Sequence, residues 1–201
     1  RFATLCRDLT ICGEGMRSLL LAGGRSSRMG RDKALIEVGG VACIARAASA
    51  LAAAGCEPIR IAVAQPEDVE RYGAVMPDGL DVEWVLDALT HAGPIEALIE
   101  ALTDPLVADA DSIQLCPVDV PWVTADLFSE LEKTLGPGDL LAIPADPQRT
   151  HPLLSRVRPS IASKIADDRR PLHVQFTEME HSTLLTDSAI LRNVNTPDDL
   201  S

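Results

Sequence analysis

The sequence predicts an α/β fold, a three-layer sandwich with a mostly parallel central sheet. Short apolar runs typical of buried strands alternate with helical patterns along almost the whole chain. The 201 residues suit one domain with a substantial core, and no repeat, low-complexity tract or linker divides them. Alternation of this kind predicts parallel β-α-β units with helices on both faces of the sheet.

The first predicted strand and helix are separated by a glycine turn. Residues 18–22 form an apolar run that ends at glycines, which predicts a buried strand. After Gly39 and Gly40, residues 41–54 combine helix formers with apolar spacing of three and four, and Gly55 stands where helices favour glycine. A helix is therefore expected over residues 41–54.

The remaining elements continue the alternation. A strand over residues 59–64 precedes a helix over 66–76, because Pro66 and the acids after it are typical of a helix start. The later predictions are a strand over 81–87, a helix over 94–104, a strand over 112–119, a capped amphipathic helix over 124–135, strands over 140–145 and 151–157, and a helix that starts at Thr196.

Composition and charge argue against several classes of function. The formal net charge is −12, from 18 Lys+Arg and 30 Asp+Glu, so the chain is a poor candidate for binding nucleic acid or membrane surfaces. No apolar stretch reaches the ~18 residues that span a bilayer. The five cysteines are scattered without a CxxC pair, which predicts reduced thiols in the cytoplasm rather than disulfides or a zinc site.

The head of the chain stands apart from the predicted domain. Residues 1–15 contain no apolar segment of the kind found in a signal peptide, and Met16 lies just before the first strand. We expect residues 1–15 to be an N-terminal extension, either an upstream extension or the tail of a fused partner, and residues 16–201 to form the domain.

A glycine pair and a cluster of cations follow the first strand. The segment contains Gly23, Gly24, Arg25, Arg28, Arg31 and Lys33. Ligands of parallel α/β sheets bind beyond the carboxyl ends of strands, and glycines let backbone N–H groups approach a phosphate closely. The spacing is neither G-x-G-x-x-G nor the Walker pattern. On the residues alone, a phosphate-binding loop and a plain strand-to-helix connection remain equally open.

The wider motif resembles a known family. Residues 21–33, LAGGRSSRMGRDK, resemble the signature L-A-G-G-x-S-x-R-M-G-x-D-K of the MobA-like nucleotidyltransferases, in particular those that guanylylate the molybdenum cofactor. The segments LCPVDVPWVTADL, THPLL, RRPLHVQF and NVNTPDDL are similar to later landmarks of the same family. The resemblance runs from residue 17 to the end and implies a Rossmann-like nucleotidyltransferase fold for residues 16–201.

The resemblance also implies a reaction and its participants. GMP would pass from GTP to molybdopterin, with release of pyrophosphate and with Mg²⁺, or alternatively Mn²⁺, as cofactor. The implied partners are these two substrates and, transiently, other proteins of cofactor biosynthesis or cofactor-accepting enzymes. Two alternatives remain: a cytidylyltransferase of the same cofactor, disfavoured because that group tends to carry L-A-A-G, and a non-catalytic nucleotide-binding module of a fusion protein.

The resemblance assigns roles residue by residue. The implied catalytic residues are Arg28, Lys33 and Asp119, with Asp119 as the metal ligand. The implied nucleotide-binding residues are Leu21, Ala22, Gly23, Gly24, Lys33, Asp87 and Asp119, and the implied acceptor-binding residues are Asn193 and Asn195. Each type suits its role, since Mg²⁺ prefers carboxylate oxygens, Lys and Arg bind phosphate, and a carboxylate at Asp87 would accept from the guanine N–H groups.

Several of these assignments have simpler alternatives. Asp119 before Pro121 could begin a turn, Asp87 could merely end a strand, and the asparagines could be ordinary turn residues. Arg28 could pair with an acid, whereas Arg25 and Arg31 fall at variable positions of the motif and are expected to be solvated. The family's G-P-L-A-G segment reads GPIEA at residues 93–97, a departure that weakens the acceptor side of the resemblance.

Overall fold

The computed structural model describes residues 16–22, 32–86, 94–166, 168, 170–194 and 199. Strands within these residues are β1 Ser18–Leu21, β2 Glu37–Val38, β3 Val41–Ala42, β4 Ile59–Val63, β5 Val82–Leu86, β6 Ile113–Pro117, β7 Leu141–Ala145, β8 Arg156–Val157 and β9 His181–Leu185. The α-helices are α1 Cys43–Ala53, α2 Pro66–Gly73, α3 Pro94–Thr103, α4 Pro105–Ala108, α5 Ala125–Thr134, α6 Ala162–Ile165 and α7 Leu172–Glu178. Short 3-10 helices cover Lys33–Leu35, Pro152–Leu154 and Pro159–Ile161.

Seven of the strands form one sheet in the order β5-β4-β1-β6-β8-β7-β9. β1 runs parallel to both β4 and β6, β4 runs parallel to β5, and β7 runs parallel to β9. β8 is the exception and lies antiparallel between β6 and β7. The carboxyl ends of the six parallel strands therefore share one edge, which we call the carboxyl edge. The predicted α/β class with a mostly parallel sheet is confirmed.

Helices cover both faces of this sheet, as predicted for a three-layer sandwich. Side chains alternate along β1, so Leu20 packs in one apolar cluster and Leu19 in another. The cluster of Leu20 includes buried residues of α1 and α5, for example Phe128. The cluster of Leu19 includes buried residues of α3, α6 and α7, for example Phe176. These two apolar layers hold the sheet rigidly and fix the position of its carboxyl edge.

The start of the first predicted helix is wrong by two residues. Val41 and Ala42 form β3, which pairs antiparallel with β2, and α1 begins only at Cys43. The reason lies in the turn, because Gly39 and Gly40 both adopt positive φ, at 62° and 78°. Two such residues in succession form a hairpin turn of two residues rather than a helix entry.

The predicted strand over residues 151–157 is confirmed only at its end and is wrong over its first part. Pro152–Leu154 forms a 3-10 turn, and only Arg156 and Val157 belong to a strand. Proline at the first position of the turn has the φ that a helical turn requires. The resulting strand is short and is the antiparallel member of the sheet.

Besides β3, five of the described strands and α-helices were not predicted from the sequence. They are β2, α4, α6, α7 and β9. β9 reads HSTLL and none of its residues is buried, so its strand conformation depends on pairing with β7, which no local pattern indicates. The predicted helix start at Thr196 lies outside the described residues. No helix in the described part of the chain is both long and apolar enough to cross a bilayer.

A carboxylate–imidazole pair closes the connection after β7. Nε2 of His151 lies 3.0 Å from Oδ2 of Asp146, and both side chains are only 8% exposed. Asp146 also accepts backbone N–H bonds from Gln148 and Arg149 through Oδ1. The hydrogen bond with His151, helped by these N–H groups, lowers the pKa of Asp146 below its ordinary value. The charged carboxylate is therefore the form that stabilises this connection.

We expect Asp146→Asn to lower Tm at pH 7. A depressed folded-state pKa contributes stability above the unfolded pKa of about 4 and loses it as pH falls through the folded value. The Tm difference between the two proteins should therefore narrow as pH falls below about 4. Thermal unfolding at several pH values measures this, with exposed Asp78→Asn as the charge-matched control. A Tm difference that is equally large at acid pH would contradict the role of the ionised carboxylate.

Candidate active site

The carboxyl ends of β1 and β6 lie side by side in the sheet. Leu21 is level with Pro117, and the N–H of Val118 donates to the Leu21 carbonyl at 3.2 Å. On the other side, the N–H of Ala22 donates to the Ala62 carbonyl at 3.1 Å. Leu21 and Ala22, both singled out from the sequence, therefore lie at the centre of the carboxyl edge, next to the turn that follows β6.

Asp119 and Lys33 meet at this edge, although 86 positions separate them. Asp119 lies in the turn after β6, and its Oδ2 is 3.5 Å from Nζ of Lys33. Their side chains are 23% and 24% exposed, so both are reachable from solvent while partly enclosed. Two residues that the sequence nominated from separate motifs are thus brought into one ion pair.

A capped 3-10 turn places Lys33. The turn begins at Lys33, and Oδ1 of Asp32 accepts the N–H of Ala34 at 3.1 Å. Ala34 is buried, which fixes the turn against the core. Oδ2 of Asp32 accepts from the hydroxyl of Tyr72 at 2.8 Å and from Nη2 of Arg71 at 3.0 Å. The residue before the lysine is therefore tied to α2.

The C-terminal segment packs beside Asp119. The N–H of Val194 donates to the Asp119 carbonyl at 2.7 Å, which holds the turn from its backbone. Asn193 precedes Val194, and its Oδ1 is buried without a hydrogen-bond partner among the described residues. Buried polar atoms are normally bonded, so this oxygen is suited to accept a bond from a bound molecule. The structure places Asn193 near Asp119, whereas Asn195 lies outside the described residues.

A small apolar cluster supports the turn after β6. Buried Ile36, Cys43 and Val194 pack with Val38 and Trp122. Burial raises the pKa of the Cys43 thiol to about 11. The positive charge of Arg46 nearby lowers this pKa but only partly offsets the effect of burial. The thiol is therefore neutral at physiological pH and acts as packing rather than as a nucleophile.

Two arginines that the sequence analysis did not nominate shape the same region. Arg46 donates from Nε to the Pro121 carbonyl at 2.8 Å and from Nη1 to the Val38 carbonyl at 3.3 Å. The guanidinium of Arg192 lies over the ring of Trp122, 4.0 Å from its centroid. Neither role follows from local sequence, because each depends on residues more than five positions away along the chain. For Asp32 a signal existed, since an aspartate directly before a turn is a favoured cap.

The other nominated residues lie outside the described part of the chain. These are Gly23, Gly24, Arg28, Asp87 and Asn195. Their proposed contacts stay predictions. Among the residues that the structure describes, no group of three or more His, Cys, Asp or Glu side chains could hold a metal ion. Within this part of the chain, Asp119 is the carboxylate that lies beside Lys33 at the carboxyl edge.

The ammonium of Lys33 and the carboxylate of Asp119, 3.5 Å apart at this edge, can bind a polyphosphate and its metal counterion, respectively. The lysine offers a compact positive charge to phosphate oxygens. The carboxylate offers hard oxygen ligands to a divalent cation, of which Mg²⁺ needs only one or two from the protein when phosphates supply others. The site thus combines both kinds of group that phosphoryl and nucleotidyl transfer require.

Comparison with known proteins places this geometry in context. The family model described as MobA-like NTP transferase domain matches residues 18–174. A protein of Synechococcus elongatus named as a probable molybdenum cofactor guanylyltransferase is 34% identical, over 90% of this chain and 94% of that protein. A molybdenum cofactor guanylyltransferase of Rhizobium johnstonii is 30% identical, over 90% of this chain and 88% of that protein.

A solved structure shares the fold. The molybdopterin-guanine dinucleotide biosynthesis protein A of Archaeoglobus fulgidus superposes with a TM-score of 0.68 at 20% identity. The match covers 92% of this chain and 95% of that one. At this identity the likeness concerns the fold alone, and it agrees with the sheet and layers described above.

The Lys33–Asp119 pair should contribute little to folding. Partly exposed ion pairs contribute about 0–1 kcal/mol, so Asp119→Asn should change the free energy of unfolding by less than about 1 kcal/mol. Glu83→Gln is the comparison, because it removes a partner of Arg60, whose side chain is only 3% exposed. That variant should be more destabilising. Urea unfolding measures both, and a loss above about 2 kcal/mol for Asp119→Asn would mean that Asp119 is structural.

Proposed function

We propose a function from one premise: this chain belongs to the family of MobA-like NTP transferase domains. It transfers GMP from GTP to molybdopterin and forms the guanine dinucleotide of the cofactor. An oxygen of the acceptor phosphate attacks the α-phosphorus of GTP, the bond from that phosphorus to the β-phosphate oxygen breaks, and pyrophosphate leaves. The names of the relatives support this choice of substrates.

The pairing of Lys33 with Asp119 is the observation that carries the chemistry. Nucleotidyl transfer asks a protein mainly to hold two oxygens in line and to neutralise charge. When the nucleotide binds, the ammonium of Lys33 exchanges its carboxylate partner for phosphate oxygens. Arg28, from the same motif, would add a bidentate contact to the phosphates.

Proteins of this family use a divalent cation, and the residues at the site fit one. Asp119 would hold it, with the remaining oxygen ligands from substrate phosphates and water, which is how Mg²⁺ is commonly bound. When bound, the cation neutralises charge that develops on the phosphates. Because substrate phosphates supply further oxygens, one protein carboxylate such as Asp119 is enough for Mg²⁺, and Mn²⁺ is the alternative.

The acceptor would bind beside Asp119. The Oδ1 of Asn193, which is buried and has no hydrogen-bond partner among the described residues, supports this, since a pterin carries N–H groups that an amide oxygen accepts from. Asn195 would line the same side. The backbone of Leu21, Ala22, Gly23 and Gly24 would face the nucleotide, and Asp87 would accept from the guanine base.

A cytidylyltransferase of the same cofactor is the second candidate, and it is disfavoured because that group tends to carry L-A-A-G where this chain reads L-A-G-G. A non-catalytic nucleotide-binding module has less support, since a module that only binds nucleotide has no need of both Lys33 and Asp119. The five cysteines are scattered without a CxxC pair, which favours a cytoplasmic enzyme with reduced thiols. Transient contacts with other proteins of the cofactor pathway stay a prediction.

Asp119→Asn should lower kcat for guanylyl transfer in Mg²⁺ by roughly 100-fold or more, because the amide keeps the shape but loses the charge that holds the cation. The assay is release of pyrophosphate from GTP in the presence of molybdopterin. Asp126→Asn, an exposed charge-matched change seven residues away, serves as control and should retain turnover. Near wild-type turnover in Asp119→Asn would refute its catalytic role.

GTP should be preferred over CTP by at least about tenfold in kcat/KM, because a polar group left unpaired in a site costs ~1–3 kcal/mol. Guanine presents N1–H and N2–H₂ donors to a carboxylate, whereas cytosine presents an acceptor at N3. Asp87→Asn should narrow the preference, since its amide also offers a donor. Competition kinetics with both nucleotides tests this. Equal use of GTP and CTP, or a preference for CTP, would contradict the guanylyltransferase proposal and favour a cytidylyltransferase.

A further inference from the structure

The carboxylate of Asp32 connects the 3-10 turn at Lys33 to helix α2 through hydrogen bonds. Its Oδ1 accepts the N–H of Ala34 and so caps the turn that begins at Lys33. Its Oδ2 accepts the hydroxyl of Tyr72 at 2.8 Å and Nη2 of Arg71 at 3.0 Å. Both oxygens are therefore engaged, one within the turn and the other with α2.

Of the two bonds to α2, the one from Tyr72 is buried. Tyr72 is 3% exposed and packs in the apolar layer with α1 and α5. Burial, together with the bond to the Asp32 carboxylate, raises the pKa of Tyr72 far above its ordinary value. The phenol is therefore protonated at any working pH and acts as a donor. Arg71, by contrast, is 48% exposed and shares its guanidinium with Asp68.

The helix that carries Tyr72 is anchored next to the centre of the sheet. α2 follows β4, and β4 pairs directly with β1. The bond from Tyr72 therefore links the residue immediately before Lys33 to a fixed part of the fold. Because a 3-10 turn is short and Ala34 is buried, a shift of Asp32 moves the base of the Lys33 side chain with it.

We propose that the hydrogen bond from Tyr72 to Asp32 is a positioning contact that sets the reach of Lys33 toward Asp119 and the nucleotide phosphates. Tyr72 acts through Lys33 and does not touch the substrate. The kinetic part of the proposal rests on the proposed function, whereas the placement of Lys33 does not.

A measurement without substrate tests the placement. The chain has three lysines, Lys33, Lys133 and Lys164, so reductive ¹³C-methylation gives few side-chain NMR signals, which Lys33→Arg assigns. Tyr72→Phe keeps the ring and removes only the hydroxyl. We expect it to shift the Lys33 signal while the signals of Lys133 on α5 and Lys164 on α6, both exposed, stay unchanged. An unchanged Lys33 signal would overturn the proposal even if guanylyl transfer is confirmed.

Kinetics then separate positioning from a general structural role. Tyr72→Phe should lower kcat roughly tenfold, since small displacements of catalytic groups are costly. In a Lys33→Ala background the same change should lower kcat by less than about twofold, because the group it positions is gone. An equal loss in both backgrounds would show that Tyr72 merely stabilises the fold. Absence of guanylyl transfer in the wild type would refute the proposed function and leave the NMR result to decide the placement.

Two further variants locate the effect in the bond itself. Asp32→Asn keeps an efficient cap, but its amide nitrogen no longer accepts from Tyr72. It should shift the Lys33 signal as Tyr72→Phe does, and the two changes together should have no larger effect on kcat than either alone. Arg71→Gln is the control, since an exposed ion pair contributes little. If Arg71→Gln lowered kcat as much as Tyr72→Phe does, the effect would come from the charge of Arg71 rather than from the Tyr72 hydroxyl, which would contradict the proposal.

Discussion

Strands β1 and β6 run parallel and adjacent at the centre of the sheet, and the candidate site depends on this pairing. It places the turn after β6 next to the chain that leaves β1, with the Val118 N–H bonded to the Leu21 carbonyl. Because the ends of parallel strands meet at one edge, residues far apart in sequence come together there. The ion pair of Lys33 and Asp119 is the direct consequence. The apolar layers on both faces resist any slip of β1 against β6, since a slip would displace buried side chains.

The parts of the fold that sequence predicted are those whose local pattern matches their burial. β4 is buried at every position and reads as an apolar run, so its strand was predictable. β9 mixes polar residues with two leucines and has no buried residue, and β8 is two residues long with a buried Arg156 that bonds Ser112 and Glu132. Their conformations arise from pairing with β7, a contact that no window of neighbouring residues contains. Turn chemistry accounts for the misplaced start of α1, where two glycines form a hairpin.

The site divides in the same way. Lys33 was predicted from the loop motif after the first strand and Asp119 from its place after an apolar strand, both within motifs that resemble a family, and the structure brings them together. The residues that position them were not predicted. Tyr72, Val194 and Arg46 act through contacts that exist only in the folded chain. The kind of chemistry could be inferred from the residue types in these two segments, whereas the identity of the substrates came from the family and from named relatives. Support of the reactive groups is a tertiary property, which explains why local sequence did not reveal it.

The central claim is that Lys33 and Asp119 form one site for the nucleotide phosphates and their cation, and titration calorimetry with GTP tests it most directly. Without a divalent cation, the carboxylate of Asp119 repels the phosphates, so Asp119→Asn should bind GTP at least as tightly as the wild type. With Mg²⁺ the order should reverse, because the variant no longer helps to hold the cation. A change in affinity of the same sign under both conditions, or no change under either, would contradict the account.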